Sequence, residues 1–185
     1  MQILRVEPTP NPNAIKFVLT LSLAPGASRE FQDAEAAKGD EVAEALFGIE
    51  GVSALFFNEN YITVTMSSDA DWHKVYREAQ QRIEAQEPPE EAVEVGTTES
   101  LLAPGVLVEG NELMERILAV LRQRVVPALS ADGGGLQVLG IEDKTLSIRY
   151  QGACGSCPSS IAGTLQAIQN LLRTEVDPEL MVVPA

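Results

Sequence analysis

Histidine occurs once in this sequence, at His73, and cysteine twice, at Cys154 and Cys157. Two thiols cannot build the cross-linked framework of a small secreted domain. Aromatic residues make up only 5% of the chain, so its cores must be built mainly on Val, Ile and Leu. No apolar run approaches the roughly 20 residues that cross a bilayer. The opening Met1-Gln2-Ile3-Leu4-Arg5 lacks the charged-then-apolar layout of a secretory leader and reads as the start of a folded domain. Basic residues are also scarce. Lys and Arg number 13 against 27 Asp and Glu, for a formal charge of −14, and they form no cluster. Binding to nucleic acid or to an anionic membrane needs such a cluster to neutralise phosphate, so neither is expected as a partner. No paired carboxylates and no Ser/His/Asp set stand out for acid–base or nucleophilic work, so the chain is not read as an enzyme. These absences together predict a cytoplasmic protein.

What is present is an apolar share of 45% in 185 residues, enough for two small cores. The division falls where Glu87-Pro88-Pro89-Glu90-Glu91 joins two prolines to acids, in a stretch closed by Pro104-Gly105. Repelling charges with little to bury read as a flexible linker. The expected organisation is a first domain over 1–87, an acidic Pro/Glu-rich linker over 88–108 and a second domain over 109–185.

The fold class is α+β, two small α/β domains joined by that linker. In the first, Ile15, Phe17 and Leu19 alternate with polar neighbours as a strand does. Asp40 starts a short helix that Gly48 stops. Val52–Phe57 and Ile62–Met66 flank a turn at Asn58-Glu59-Asn60. Trp72, Val75, Tyr76, Ala79 and Ile83 follow at helical spacing, which places Trp72 and Tyr76 in the core stripe. Asn11-Pro12-Asn13 reads as a turn before the first of these strands. In the second domain Asn111 caps a helix that Pro127 ends near Val125. Leu136–Ile141 and Leu146–Tyr150 pair around Glu142-Asp143-Lys144. A helix runs from Pro158 to about Arg173, and Leu180–Val183 adds a strand. The order is helix-strand-strand-helix-strand, with helices on one sheet face.

The chemistry lies at Gly152-Ala153-Cys154-Gly155-Ser156-Cys157-Pro158-Ser159-Ser160. Pro158 suits the first position of a helix, where its missing N–H is not needed. Cys157 then falls at the N-cap, and the helix dipole favours its thiolate, the form that binds metal. Four readings share this pair: an inert or disulfide pair, a thiol–disulfide redox pair, a zinc site and an iron–sulfur site. Zinc and iron–sulfur clusters each call for four ligands, and one chain supplies two, so either implies a homodimer with the metal at its interface. Spacing does not choose between them. Asp132-Gly133-Gly134-Gly135 lacks the Lys-Ser/Thr ending of a phosphate loop and reads as a turn into the hairpin. His73 reads as a surface histidine.

The run Asp132-Gly133-Gly134, the two strands, and Gly152-Ala153-Cys154 with Cys157-Pro158-Ser159-Ser160 closely resemble the NifU-like C-terminal domain of the Nfu family. Thr9-Pro10-Asn11-Pro12-Asn13-Ala14, Lys16-Phe17, Leu46-Phe47, Gly51-Val52 and Phe56-Phe57 through Ile62-Thr63-Val64-Thr65 resemble the Nfu N-terminal domain. The resemblance implies an iron–sulfur cluster scaffold or carrier. It implies Cys154 and Cys157 as ligands of a [4Fe–4S] cluster, with [2Fe–2S] the other form, held between two protomers. It also implies apo iron–sulfur clients and upstream assembly proteins as partners. Asp143-Lys144 stands where a turn glycine is common in that family. The first domain carries no evident chemistry and is read as recognising clients or tuning stability.

Overall fold

A computed structural model describes residues 1–87, 101–102, 106, 111–153 and 158–184; for residues 24–27 and 158–162 only the backbone path is described. The chain divides into two compact units, Met1–Thr97 and Thr98–Ala185. Most of the expected acidic linker, from residue 88 to 100, lies outside the described residues.

The first unit is a five-stranded antiparallel sheet of β1 (Ile3–Pro8), β2 (Ala14–Leu19), β3 (Ala24–Phe31), β4 (Val52–Glu59) and β5 (Tyr61–Met66), in the order β1-β2-β5-β4-β3. Helices α1 (Glu41–Phe47) and α2 (Trp72–Ala85) join its core. The first starts at Asp40 as expected, and both have an aspartate cap. Asp40 accepts a hydrogen bond from the Ala43 N–H, and Asp71 accepts from those of His73 and Lys74. Ile15, Phe17 and Leu19 pack with Leu55, Phe57, Ile62, Val64, Val75, Ala79 and Ile83.

The opposite sheet face buries Val18, Phe56 and Tyr61. Lys16 lies there too, 5% exposed, with its ammonium 2.8 Å from Glu7 and 4.7 Å from the centroid of the Tyr61 ring. The ammonium of Lys16, then the guanidinium of Arg5, hold the Glu7 carboxyl below its ordinary range.

Two strands escape the sequence pattern, and both are edges. In β1 the register shifts between Ile3 and Arg5, so Leu4 bulges out, 59% exposed, and the alternation is broken. In β3 Pro25-Gly26 reads as a turn, yet an edge strand tolerates it where the register shifts between Ala24 and Ser28. Trp72 also departs from expectation. It is 43% exposed rather than in the core, while Val75, Ala79 and Ile83 on its helix are fully buried.

The second unit contains α3 (Glu112–Val120), α4 (Val126–Ala131), α5 (Pro158–Glu175) and the sheet β6 (Gly134–Glu142), β7 (Thr145–Gly152), β8 (Met181–Pro184), in the order β6-β7-β8. Asn111 caps α3 by accepting from the Met114 N–H at 3.0 Å. Pro127 does not end the helical path. A π-turn at Leu121–Val125 intervenes, and the path continues to Ala131 with Pro127 in the first turn of α4. The wider turn, in which the Val126 N–H donates back to Leu121 O, shifts the bonding register ahead of a residue that has no N–H of its own.

Leu146, Ile148 and Tyr150 of β7 face the core as expected, joined by Leu136, Val138, Ile168 and Leu172. Leu101 and Leu102 fall within the expected linker, 88–108. Leu101 is 4% exposed in this core, and Leu102 bridges to Val138, because two adjacent leucines repay burial that the acids around them cannot.

The β6–β7 turn has Asp143 at φ 44° and Lys144 at φ 63°. Two positive φ values match the twist of a tight hairpin, where glycine fits with least strain. Lys144 is held there by contacts to Asp177, at 3.0 Å, and to Glu179, and its carbonyl accepts from the Met181 N–H.

Two outcomes follow from these contacts. Glu7→Gln should lower stability at neutral pH by about 1–2 kcal/mol, since it leaves a buried ammonium without its carboxylate. The Glu7 pKa is depressed in the fold, so its contribution is full above the unfolded value and disappears as pH falls through the folded one. The stability gap between variant and wild type should therefore narrow as pH falls below the unfolded carboxylate value of about 4.3, and a constant gap down to acid would contradict the pairing. Lys144→Gly relieves backbone strain but loses exposed ion pairs, which salt screens. Its melting temperature relative to wild type should rise as salt is added.

Candidate functional site

Hairpin geometry fixes one end of the cysteine segment. β6 and β7 pair antiparallel from Glu142↔Thr145 down to Gly134↔Gly152. Gly133, at φ 74°, and Gly152, at φ 65°, turn the two chains at that end, in a backbone region that side chains rarely adopt. The Ala153 N–H donates to Gly133 O at 3.3 Å, and Ala153 is 2% exposed. The Asp132-Gly133-Gly134 run is therefore a turn into the hairpin, as its sequence suggests. It lies against the residue that immediately precedes Cys154.

The other end is fixed by α5, which starts at Pro158 as expected and runs 18 residues to Glu175. Ile168 and Leu172 bury its inner side. Arg173 Nε donates to Leu180 O at 2.6 Å, and the Val182 N–H donates to Gln169 Oε1 at 3.0 Å. These bonds tie α5 to Leu180 and to β8, which pairs in parallel with β7. Residues 154–157 thus connect the carboxyl end of β7 to the amino end of α5. Cys154 and Cys157 themselves lie outside the described residues.

A helix amino end carries a partial positive charge from its unpaired N–H groups, which favours an anionic group beside it. A thiolate, or a cluster carrying net negative charge, is such a group. The connection that holds the two cysteines in sequence leads into such a helix amino end at Pro158.

His73 is remote from this chemistry in sequence. It lies exposed on α2, edge-on to Trp72 with ring centroids 5.4 Å apart. Among the described residues, no three His, Cys, Asp or Glu side chains gather to hold a metal ion.

The first unit holds a hollow remote in sequence from the cysteine segment. A cavity of about 450 Å³ is lined by Val6, Pro8, Thr9, Asn11, Pro12, Trp72 and Tyr76, among others. The signal that marks it is the position of Trp72 at the very start of α2, where a residue at core spacing has no preceding turn to cover it.

Comparison with known proteins agrees with this layout. A family model described as "Scaffold protein Nfu/NifU N terminal" matches residues 4–87, and one described as "NifU-like domain" matches residues 117–183. A Homo sapiens protein named NFU1 iron-sulfur cluster scaffold homolog, mitochondrial, is 31% identical over 171 residues, covering 92% of this chain and 66% of its own. The Drosophila ananassae protein of the same name is 31% identical over 176 residues, covering 92% and 59%. The chain thus spans about six-tenths of the length of these relatives. A crystal structure of a Staphylococcus aureus protein aligns with TM-score 0.41 and 24% identity over 45% of this chain and 99% of its own. A solution structure of a NifU-like protein from Saccharomyces cerevisiae aligns with TM-score 0.39 and 20% identity over 45% and 77%. The mitochondrial names of the curated relatives overturn the cytoplasmic expectation. That expectation rested on acidity and the lack of a secretory leader, and neither property distinguishes one aqueous compartment from another. With an Nfu N-terminal domain followed by a NifU-like domain, the chain belongs to the Nfu family of iron–sulfur cluster scaffold proteins.

Proposed function

We propose that the chain carries an iron–sulfur cluster on Cys154 and Cys157 and passes it to apo-proteins. The observation that carries this reading is the placement of the chain's only two cysteines in one short connection between β7 and the amino end of α5. Two thiolates are half of a four-thiolate site. A second protomer supplies the other half, so the cluster, a [4Fe–4S] unit, bridges a homodimer. Held by half-sites at an interface, the cluster is cargo rather than a resident redox centre, and client apo-proteins take it by thiolate exchange. Upstream assembly proteins load it. The family is one of scaffolds and not of catalysts, which fits a protein that binds and releases without turnover.

In this reading the domains run over 1–87 and 109–185 with the acidic segment 88–108 between them; Leu101 and Leu102 pack with the second domain, and the acidic stretch before them is the tether. The tether lets the first domain engage a client while the second presents the cluster.

Anaerobic reconstitution with iron and sulfide should turn the protein brown, convert monomer to dimer, and give the Mössbauer spectrum of one [4Fe–4S] cluster per two chains. Cys154→Ala and Cys157→Ala should each abolish both colour and dimer. A colourless protein that holds zinc tightly and refuses iron would sink the reading, as would rapid insulin reduction by the apo-protein, which marks a thiol–disulfide enzyme. A chain lacking residues 1–88 should still take the cluster and dimerise, but should deliver it to an apo-client more slowly.

A further inference from the structure

The Thr9-Pro10-Asn11-Pro12-Asn13 turn is stiffer than a surface loop needs to be. Thr9 Oγ1 donates to Asn11 O at 2.8 Å and to Ala14 O at 3.1 Å. The Asn13 N–H donates to Asn11 Oδ1 at 2.9 Å, and the Ala14 N–H to Asn11 O at 3.0 Å. Asn11 is 7% exposed. The turn's polar groups are thus engaged within the turn, and its prolines fix the backbone. What it presents to the cavity of about 450 Å³ is mostly hydrocarbon from Pro8, Pro12 and Ala14.

The facing wall is aromatic. Trp72 stacks on Tyr76 with centroids 5.5 Å apart and planes 3° apart, and Tyr76 stacks in turn on the buried Phe17. Trp72 is therefore exposed but held, by a ring anchored in the core. A preformed apolar hollow, walled by a fixed tryptophan and tyrosine, is the geometry of an interface hot spot, where rigid aromatics contribute contact area with little ordering entropy. A hollow of this size takes one or two large side chains.

Charge decides whose side chains these are. Around the hollow Arg5, Lys16, Lys74 and Arg77 balance Glu7, Glu50, Asp69 and Asp71, so the choice falls to the field of the whole unit. Residues 1–87 hold 14 Asp and Glu against 7 Lys and Arg. Such a surface repels acidic segments and attracts basic ones.

We infer that this hollow is a docking site for a basic segment of a partner protein that inserts one large apolar side chain between the Pro8–Pro12 wall and Trp72. This deepens the carrier reading by giving the first domain its client contact, but binding here needs no cluster, so the test uses the full chain without iron.

Trp72 is the only tryptophan, so its fluorescence reports on the hollow alone. A short fluorescein-labelled peptide with one phenylalanine among lysines should bind, shift the Trp72 emission, and bind more weakly as salt rises. Anisotropy should show Trp72→Ala weakening it at least about tenfold and Trp72→Phe restoring most of the loss. A twin peptide with alanine for phenylalanine, or glutamate for lysine, should bind at least about tenfold more weakly. Circular dichroism checks that both variants keep the fold. The inference fails if the lysine peptide does not bind, if either twin binds as well, or if Trp72→Ala binds like wild type. It also fails if Trp72→Ala changes only the sedimentation of the protein, which would make the occupant another copy of this chain. None of these failures touches cluster reconstitution, which is read separately by colour and Mössbauer spectrum.

Discussion

Parallel pairing of β7 with β8 is the constraint from which the second unit follows. Two adjacent parallel strands cannot be joined by a tight turn, so the chain must travel back along the sheet before β8 begins. Helix α5 makes that return, and its inner residues Ile168 and Leu172 seal the core as it does so. The start of such a crossover helix has to sit at the carboxyl end of the strand it leaves. The short stretch that carries both cysteines joins that strand end to that helix amino end. The glycine turn at Gly133 secures the near side, and the bonds from Arg173 and Gln169 secure the far side. The two chain ends between which the cysteines lie are thus set by topology.

Much of this layout was legible in the residues. Pro158 after Cys157 announced the start of α5, and the alternation of Leu146, Ile148 and Tyr150 announced β7 and its buried face. The caps at Asp40 and Asn111 were readable because a side-chain acceptor before an amphipathic run has few other uses. Cys154 and Cys157 stand out as a pair, but two thiols at this spacing serve several chemistries, so the spacing alone selects none of them.

The parts that were not legible share a cause: tertiary context outweighed a local rule. Pro127 looked like a stop, yet a single wider turn upstream let the helix continue because Leu129 had a core to reach. Leu101 and Leu102 fall within the expected linker, yet they pack in a core. Trp72 had the spacing of a core residue but sits where its helix begins, so nothing precedes it to cover the ring. The compartment was out of reach as well, because acidity measures solubility and not address.

The first unit shows how the chain limits unwanted association. Its sheet ends at β1 and β3, and each outer strand is interrupted, one by the Leu4 bulge and the other by Pro25 and a shifted register. An uninterrupted outer strand is a template on which a second copy can extend the sheet, and repetition of that step leads to fibres. Here neither margin offers a continuous row of backbone donors and acceptors. A protein whose proposed role is to meet another copy of itself briefly, and then to part, has the margins of its larger sheet closed to indefinite growth.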